Sequence, residues 1–364
     1  MVKITFKSLL IFAFSGLLIF CASAQKPIAE RSWQSVANGM PDGWYGSDES
    51  VRVAENVLLY QRNLGGWPKN TAFQLPLSAL EKAKILEAKN NQDAIFDNGA
   101  TTTEMRFLAR MFSKTGNESY KIAVEKGLRF ILKAQYENGG WPMFYPLRKG
   151  YYTHITFNDD AHSRLMKLLK EVNERKPLFA FITDENLISG SKKAWERGLD
   201  IILKTQIVVG GKPTVWCAQH DENTFLPAKA RAYELPSFSG AESVGLLEIL
   251  MGIENPSPEI RRAVQGGIEW LETHKLKHTR WDNFINAEGK EDRRIVTDPN
   301  AGDLWARFYD LESGLPYVSD RDGVKKSTLE EIGYERRNGY SWYTDSPKKV
   351  IEKYPKWKEK WAAN

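Results

Sequence analysis

Two segments of the sequence combine acidic and amide side chains in a way that suits a metal ion. Asp97 and Asn98 stand in one segment, and Asn158, Asp159 and Asp160 stand in the other. Each lies just before a stretch with the apolar spacing of a helix. Carboxylate and amide oxygens are the hard ligands that calcium prefers. The five His are scattered, without a His-Glu-x-x-His motif, so zinc is not indicated. We therefore predict a calcium site.

Two glutamates near these segments have a simpler explanation. Thr101 with Glu104, and Ser239 with Glu242, match the capping box of a helix N-terminus. We therefore predict that both glutamates cap helices rather than bind a ligand. An Asp of the second segment could likewise be a plain N-cap. A single cap does not explain the whole set of polar residues in two corresponding segments.

Arginine is the second chemical theme. Arg231, Arg307 and Arg321 stand in segments with turn and aromatic residues around them. A guanidinium binds a carboxylate through two parallel hydrogen bonds. Twelve Trp, fourteen Tyr and seventeen Phe supply aromatic rings that can stack on sugars. Calcium ligands, arginines and rings together indicate a groove for a polymer of sugar acids, although each arginine alone could form an ordinary surface ion pair.

A repeat must position these residues. Gln61, Gln135 and Gln206 each stand four positions before a Gly pair, and they end segments with helical apolar spacing. Their separations are 135 − 61 = 74 and 206 − 135 = 71 residues. A fourth copy over 261–271 keeps the helix and loses the Gly-Gly-x-Pro turn. A second helix is predicted after each of the first three turns, over 104–112, 161–169 and 242–251.

Helix pairs with a period of about 70 residues predict an all-α fold, an α/α toroid with little β structure. A two-helix unit cannot bury its apolar face alone, so neighbouring units must stack. An open solenoid is the alternative, and it differs in whether the two ends meet. In either case the loops before the second helices lie on one rim, which brings Asp97, Asp159 and Arg231 together.

The N-terminus predicts export. Lys3 and Lys7 precede an apolar run over 9–20, and small residues follow at 22–24. This pattern is typical of a secretory signal peptide over residues 1–24, which leaves a single domain over 25–364. A lipid anchor at Cys21 is the less favoured alternative. We expect a secreted or periplasmic protein without a membrane span.

Charge and cysteine content add two limits. The formal net charge is +5, and loss of Lys3 and Lys7 with the signal peptide reduces it to 5 − 2 = +3. With acidic residues throughout the rim segments, nucleic acid is not expected as a partner. Cys217 has no partner once Cys21 leaves, so no disulfide supports the fold. We expect a monomer.

The sequence resembles a known family over residues 26–364. The resemblance rests on the blocks Asn63-Leu-Gly-Gly-Trp-Pro-Lys-Asn70, Asp97-Asn-Gly-Ala-Thr-Thr-Thr-Glu104, Tyr136-Glu-Asn-Gly-Gly-Trp-Pro142, Phe157-Asn-Asp-Asp-Ala161 and Trp305-Ala-Arg-Phe-Tyr-Asp310. These blocks are similar to those of the pectate lyases of polysaccharide lyase family 10. The resemblance implies an α/α toroid that cleaves polygalacturonate, with a catalytic calcium. It implies that Asp97 holds this ion, that Asp159 is a second ligand of the calcium or a ligand of the substrate, and that Asn98 contacts the substrate.

The same resemblance assigns roles to the basic residues. Arg231 would be the base, Arg307 and Arg321 would bind uronate carboxylates, and Lys229 would assist in substrate binding. In β-elimination a proton leaves C5 while the bond from C4 to the glycosidic oxygen breaks. Arginine ordinarily has a pKa above about 12. We expect Lys229, calcium and burial to favour its neutral form, with a pH optimum above about 8.

Two other functions are compatible with these residues. A glycoside hydrolase on an α/α barrel would use two carboxyl groups across the scissile bond, and Asp97 and Asp159 could supply them. It would be indifferent to a chelator. A non-catalytic uronate-binding protein would bind pectate without turnover, and a substitution at Arg231 would leave its affinity unchanged.

Overall fold

A computed structural model describes residues 26–361 of the chain. The predicted signal peptide, with Cys21, lies outside the described residues. Within them the α-helices are, in chain order, α1 (Trp33–Gly39), α2 (Asp48–Tyr60), α3 (Ala79–Glu87), α4 (Thr102–Thr115), α5 (Glu118–Ala134), α6 (Ala161–Asn173), α7 (Glu185–Thr205), α8 (Glu242–Met251), α9 (Pro258–Thr273), α10 (Tyr334–Gly339) and α11 (Lys348–Trp361).

The glutamine of each repeat joins one repeat to the next. The Gln61 side-chain amide donates to the carbonyl of Gly65 in its own turn and to the carbonyl of Ala123 in the following repeat, both at 2.8 Å. Gln135 and Gln206 make the equivalent pair of bonds, to Gly139 and Ala194 and to Thr214 and Ala263. Buried polar groups must be hydrogen-bonded. The glutamine is therefore a structural connector between stacked helix pairs.

A buried tryptophan closes each repeat. The indole nitrogen of Trp67 donates to the Val57 carbonyl at 2.7 Å, near the end of the preceding helix. Trp141, Trp216 and Trp305 make the corresponding bond to Ile131, Ile202 and Leu271. The fourth repeat therefore keeps this contact although it lacks the Gly-Gly-x-Pro turn. Each indole ring also buries a large apolar surface in the core.

The helices form two concentric layers. α1, α4, α6, α8 and α11 lie inside, and α2, α5, α7 and α9 pack around them. A central cavity of about 510 Å³ is lined by Asn38 of α1, Arg106 of α4, Lys167 of α6, Glu248 of α8 and Lys349 of α11. Because the first and last inner helices line the same cavity, the ring is closed. The predicted α/α toroid is confirmed, and the open solenoid is excluded.

Strands are short except in one hairpin. They are β1 (Ile155–Thr156), β2 (Val208–Val209), β3 (Lys212–Pro213), β4 (Gln219–His220), β5 (Phe238–Ser239), β6 (Thr279–Ile285), β7 (Glu291–Thr297), β8 (Trp305–Ala306), β9 (Phe308–Tyr309), β10 (Val318–Ser319), β11 (Lys325–Lys326) and β12 (Tyr343–Thr344). The antiparallel pair β6–β7 was not predicted. Most of its residues are at least partly exposed, so its sequence lacks a clean apolar alternation.

The core is continuous around the ring. One cluster of buried apolar side chains extends from Trp33 to Trp357. Cys217 is buried as a free thiol, as predicted. None of the helices in the described range 26–361 has the length and apolar character needed to cross a membrane.

Candidate active site

The two acidic segments fold into matching turns. Asp97–Gly99 and Asn158–Asp160 each form a single 3-10 turn, before α4 and α6 respectively. The middle residue of each has a left-handed backbone, with φ of 53° at Asn98 and 50° at Asp159. Asn and Asp tolerate this conformation better than other residues with a side chain. The turns are in contact, and they make Asp159 the counterpart of Asn98 rather than of Asp97.

Asp97 lies behind the surface of the site. Its side chain is fully buried, and the Lys69 ammonium lies 2.5 Å from its Oδ2. The Asn158 amide nitrogen lies 3.4 Å from its Oδ1. The Lys69 ammonium therefore supplies a positive charge beside the buried Asp97 carboxylate. The predicted calcium ion would have to bind beside the same carboxylate.

Asp159 is joined to Asp97 through the same amide. Asn158 Nδ2 also donates to Asp159 Oδ2 at 2.9 Å, and Arg307 Nη2 donates to Asp159 Oδ1 at 2.8 Å. Burial opposes ionisation of Asp159. The charge and hydrogen bond of Arg307, together with smaller effects of Asp97 and Arg231, outweigh burial and lower its pKa. Both predicted calcium ligands are therefore brought together.

Arg307 is the buried cation of the site. Its Nη2 donates to Asn158 Oδ1 at 3.1 Å, to Asp159 and to Glu242. The Tyr340 ring lies 4.8 Å from its guanidinium carbon. Burial opposes the charge, but Glu242 foremost, with Tyr340 and Asp159, raises its pKa well above the usual value. Its Nε is buried without a hydrogen-bond partner in the described part of the chain, so the guanidinium retains a donor for a ligand.

Arg231 lies in a turn before β5. Its Nη1 is 3.2 Å from Glu234 Oε1, and its backbone N–H donates to Glu234 Oε2 at 3.1 Å. Burial favours the neutral form, as expected. Glu234 above all, and then Tyr233 and Tyr151, oppose burial and raise the pKa of Arg231. The expectation that its surroundings favour neutrality is therefore wrong for this structure, because sequence reasoning did not place Glu234 against it.

The remaining predicted residues lie nearer the surface. Asn98 lines the cleft, and its carbonyl accepts a 2.7 Å bond from Gln34. Lys229 is exposed. Arg321 is also exposed, and its Nη2 lies 3.3 Å from Glu335. Within residues 26–361, no hydrogen bond or ion pair joins Arg321 to Asp159 or Arg307.

The Arg321 loop nevertheless lies beside the Arg231 loop. A β-carbon added at Gly323 would lie 3.0 Å from the Ala232 carbonyl oxygen and 3.7 Å from Lys229 Nζ. Lys229 and the backbone that carries Arg321 are therefore close neighbours. The structure thus places the second predicted carboxylate-binding arginine on the side of the site that carries Arg231.

The predicted helix caps have mixed outcomes. The Thr101 hydroxyl does not cap α4, because it bonds to the Ile95 carbonyl and accepts from the Trp67 N–H. Glu104 is buried against the Trp33 indole nitrogen at 2.6 Å. Burial, partly offset by hydrogen bonds that include this one, raises the pKa of Glu104 to about 7. The half of the predicted capping box that the Thr101 hydroxyl would form is therefore absent.

Glu242 combines a cap with a place in the site. Its backbone N–H donates to Ser239 Oγ at 3.1 Å, which is the predicted capping contact. Its carboxylate, however, accepts from Ser239 Oγ and from Arg307 Nη2. The capping prediction described only part of its role. A capping box contains no signal that the same glutamate will contact an arginine 65 positions further along the chain.

A cleft opens over these loops. It has a volume of about 620 Å³ and is lined by Lys69, Asn98, Asp159 and Arg164, with the segment 32–34 as one wall. Arg164 also lines the central cavity. Lys69 and Arg164 were missed by sequence reasoning. Lys69 follows the first Gly-Gly-Trp-Pro turn and was visible there, whereas Arg164 looks like any polar residue of α6.

A separate group of metal-binding side chain types is present. His154, Asp221 and Glu222 place one ligand atom each within 4.8 Å of one another. His154 Nδ1 and Glu222 Oε2 are 3.0 Å apart, and Asp221 Oδ1 accepts two backbone bonds at the start of its turn. These contacts account for the group as an ion pair beside a turn.

Comparisons with known proteins identify the family and the fold. The family model described as pectic acid lyase matches residues 61–351. The structure is similar to a family 10 polysaccharide lyase from Cellvibrio cellulosa, with 35% identity, a TM-score of 0.76, and coverage of 89% of this chain and 94% of that chain. It is equally similar to an Asp-to-Ala mutant of a family 10 lyase from that organism in complex with trigalacturonic acid, with 35% identity, a TM-score of 0.76, and coverage of 89% and 95%. Among curated proteins, none matches.

Proposed function

Because this chain belongs to the pectic acid lyase family and is a pectate lyase, we propose that it cleaves polygalacturonate by calcium-assisted β-elimination. The observation that carries the proposal is the joined cluster of Asp97, Asn158, Asp159 and Arg307. It sets two carboxylates beside a buried guanidinium that retains an unused donor. The similar lyase that was solved with trigalacturonic acid supports a galacturonate substrate.

The donor set suits calcium. Asp97 and Asp159 offer carboxylate oxygens on adjoining turns, which are hard ligands for this ion. Asp97 is wholly buried, and its charge is matched by the Lys69 ammonium. A buried carboxylate that needs a cation is a fitting metal ligand. When bound, calcium supplies a Lewis acid that neutralises the uronate carboxylate next to the reacting carbon.

In this proposal each side chain of the site has its own role. Arg307 holds the substrate carboxylate with its unused donor, which stabilises the negative charge that develops as the C5 proton leaves. Arg231 takes that proton. The electron pair of the C5–H bond becomes the C4–C5 double bond, and the C4–O bond breaks. The oxygen leaves with the electron pair of that bond and takes a proton from solvent water, which makes it the new hydroxyl end of the other fragment. Arg321, Lys229 and Asn98 bind the neighbouring sugar units.

Arg231 sets the pH dependence. Only its neutral form can accept a proton, and Glu234 favours the charged form by raising the pKa of Arg231. The neutral fraction therefore rises with pH throughout the accessible range. We expect an optimum above about pH 8.

The hydrolase alternative is less consistent with the site. An inverting or retaining glycosidase needs one carboxyl group that stays protonated near neutral pH. Arg307 instead lowers the pKa of Asp159, against the effect of burial. Asp97 lies 2.5 Å from an ammonium. Asp159 is thus arranged to stay charged and Asp97 is paired with Lys69, which suits metal ligands and not a general acid.

We further infer that the chain is exported, from the signal-peptide pattern of residues 1–24. N-terminal sequencing of the exported protein tests the cleavage site. A start at Gln25 is expected, and a lipid-modified Cys21 would contradict it.

The decisive experiment follows the unsaturated product by its ultraviolet absorbance. Purified protein acts on polygalacturonate with calcium, then with excess EGTA, and Arg231→Ala is tested in parallel. A calcium-dependent rise that Arg231→Ala loses is the expected result. New reducing ends without the absorbance, persisting in EGTA, would mean hydrolysis. Arg231→Ala with wild-type turnover would remove Arg231 from the role of base.

A further inference from the structure

Glu234 is a buried acidic residue whose side chain is directed at Arg231. It is 5% exposed. Its Oε1 lies 3.2 Å from Arg231 Nη1, and its Oε2 accepts the Arg231 backbone N–H at 3.1 Å. The Glu234 backbone N–H also donates to the Arg231 carbonyl at 2.9 Å. Both ends of the arginine are therefore held by one residue.

Tyr340 extends this contact to the second arginine. Its hydroxyl donates to Glu234 Oε1 at 2.8 Å, and its ring lies 4.8 Å from the Arg307 guanidinium carbon. Tyr340 belongs to the segment after α10, 106 positions from Glu234. Arg231, Glu234, Tyr340 and Arg307 thus form a continuous series of contacts across the site.

We propose that Glu234, held in place by Tyr340, is the positioning residue that fixes the guanidinium of Arg231 relative to that of Arg307. The inference rests on the proposed function, in which Arg231 accepts the C5 proton and Arg307 binds the adjoining carboxylate. Those two substrate groups are bonded neighbours, so the two arginines must keep a fixed separation. A free arginine side chain samples many rotamers, and immobilising it costs free energy that a preformed ion pair supplies before substrate binds.

Other groups facing Arg231 cannot replace this contact. Tyr151 of the 3-10 helix at 151–153 forms a hydrogen bond with its side chain, and Tyr233 of the same turn and Asp159 of the neighbouring loop act on it electrostatically. Of the described residues, Glu234 alone forms an ion pair with it within 4.0 Å. Glu234→Gln keeps the shape and removes this charge. The substitution therefore separates the ion pair from packing.

Two effects of Glu234→Gln are expected. The guanidinium loses its fixed orientation, so kcat falls by about 100-fold, as for a displacement of about 1 Å in a reacting group, with KM changed less than about twofold. The guanidinium also loses the charge that favours its protonated form, so the limb of the pH profile on which activity rises with pH moves to lower pH. A residue that merely supports the fold would not move that limb.

The experiment measures kcat, KM and the pH profile on trigalacturonate with calcium for wild type, Glu234→Gln and Tyr340→Phe. Tyr340→Phe removes a single hydroxyl, and a roughly tenfold loss of kcat without a shift of the limb is expected. It also provides a second test if Glu234→Gln does not fold. Glu171→Gln is the matched control, because it removes a partly buried carboxylate that pairs with Arg106 between α4 and α6.

The outcomes separate the two levels of the proposal. Wild-type kcat and an unchanged profile in Glu234→Gln, with Arg231→Ala inactive, would refute the positioning role and leave the base intact. Activity retained in Arg231→Ala would refute the base and the positioning role together. An equal loss in Glu171→Gln would show a general effect of removing buried charge, and it too would overturn the inference.

Discussion

The Lys69 ammonium lies 2.5 Å from the Oδ2 atom of Asp97, whose side chain is fully buried. Lys69 follows the first Gly-Gly-Trp-Pro turn, and Asp97 begins the turn before α4. A charge in this position would otherwise be strongly destabilising, so the lysine stabilises the site when no metal is bound. If calcium binds Asp97 as proposed, it competes with Lys69 for the same carboxylate.

Replacing Lys69 with Met tests this competition. Without calcium, the variant should lose about 3 kcal/mol of free energy of unfolding, because Asp97 becomes an unpaired buried charge. Calcium should restore more stability in the variant than in wild type, and half-maximal activity should require less calcium. Denaturant unfolding with and without calcium measures the first effect, and a calcium titration of activity measures the second. Identical calcium responses in both proteins would show that Lys69 does not compete.

Replacing Arg307 with Lys tests whether the guanidinium of Arg307 is needed to bind the substrate carboxylate. Lysine keeps the charge but cannot bond to Asp159, Glu242 and a substrate carboxylate at once. We expect kcat/KM on polygalacturonate to fall by about 100-fold or more, in line with the loss of a transition-state donor. Arg106→Lys is the control, since Arg106 makes a two-point bond to Glu171 on the inner helices. An equal loss in the control, or none in Arg307→Lys, would contradict this role.

Replacing Arg164 with Ala tests the cleft for a further contact with the substrate. Arg164 lines both the cleft and the central cavity, and no hydrogen bond or ion pair engages it within residues 26–361. A free guanidinium in a groove for uronates should bind a carboxylate. We expect KM to rise about tenfold with kcat unchanged, which is the signature of uniform binding. Arg175→Ala, which removes a surface pair with Glu185, should leave KM as it is. A KM within error of wild type in Arg164→Ala would exclude the contact.

Replacing Glu104 with Gln tests whether ionisation of Glu104 lowers the free energy of unfolding at high pH. Burial raises the pKa of Glu104 to about 7, above its unfolded value near 4.3. The folded state therefore holds this proton more tightly than the unfolded state. Its contribution to stability is complete below about pH 4.3 and is lost as the pH rises through about 7. At pH 9 wild type should be less stable than Glu104→Gln by up to roughly 3 kcal/mol, with a smaller difference at pH 5. Thermal unfolding at both pH values measures this, and parallel pH dependence in the two proteins would argue against it.

The repeat could be predicted from the sequence because the residues that define it are close together and recur at regular intervals. Gln61, Gln135 and Gln206 recur at a fixed distance from a Gly pair, and each bonds to its own turn and to the next helix. Such units bury their apolar faces by stacking against neighbouring helix pairs, whether the array is closed or open. Helix positions, the stacking of helix pairs and the common rim of the acidic segments followed from this regularity, whereas the structure decided that the ring is closed.

The hairpin β6–β7 and the side-chain contacts of the site could not be predicted from the sequence. The hairpin has no face that is buried throughout, so it leaves no period-2 pattern. The pairing of Lys69 with Asp97 could be seen only once the structure placed the Gly-Gly-Trp-Pro turn before Lys69 against the turn Asp97–Gly99. Glu234 was visible in the Arg231 segment, but its direction toward the guanidinium depends on the turn that the backbone forms.

The sequence by itself determined which residue types line the rim, because they lie at fixed offsets within each repeat. Tertiary structure alone decided which of them touch. Arg307 meets Asp159 across 148 positions, and Tyr340 meets Glu234 across 106. Such contacts form only when the ring closes and brings its ends together. No local preference encodes them, since their energy comes from charges and rings that the closed core holds out of water.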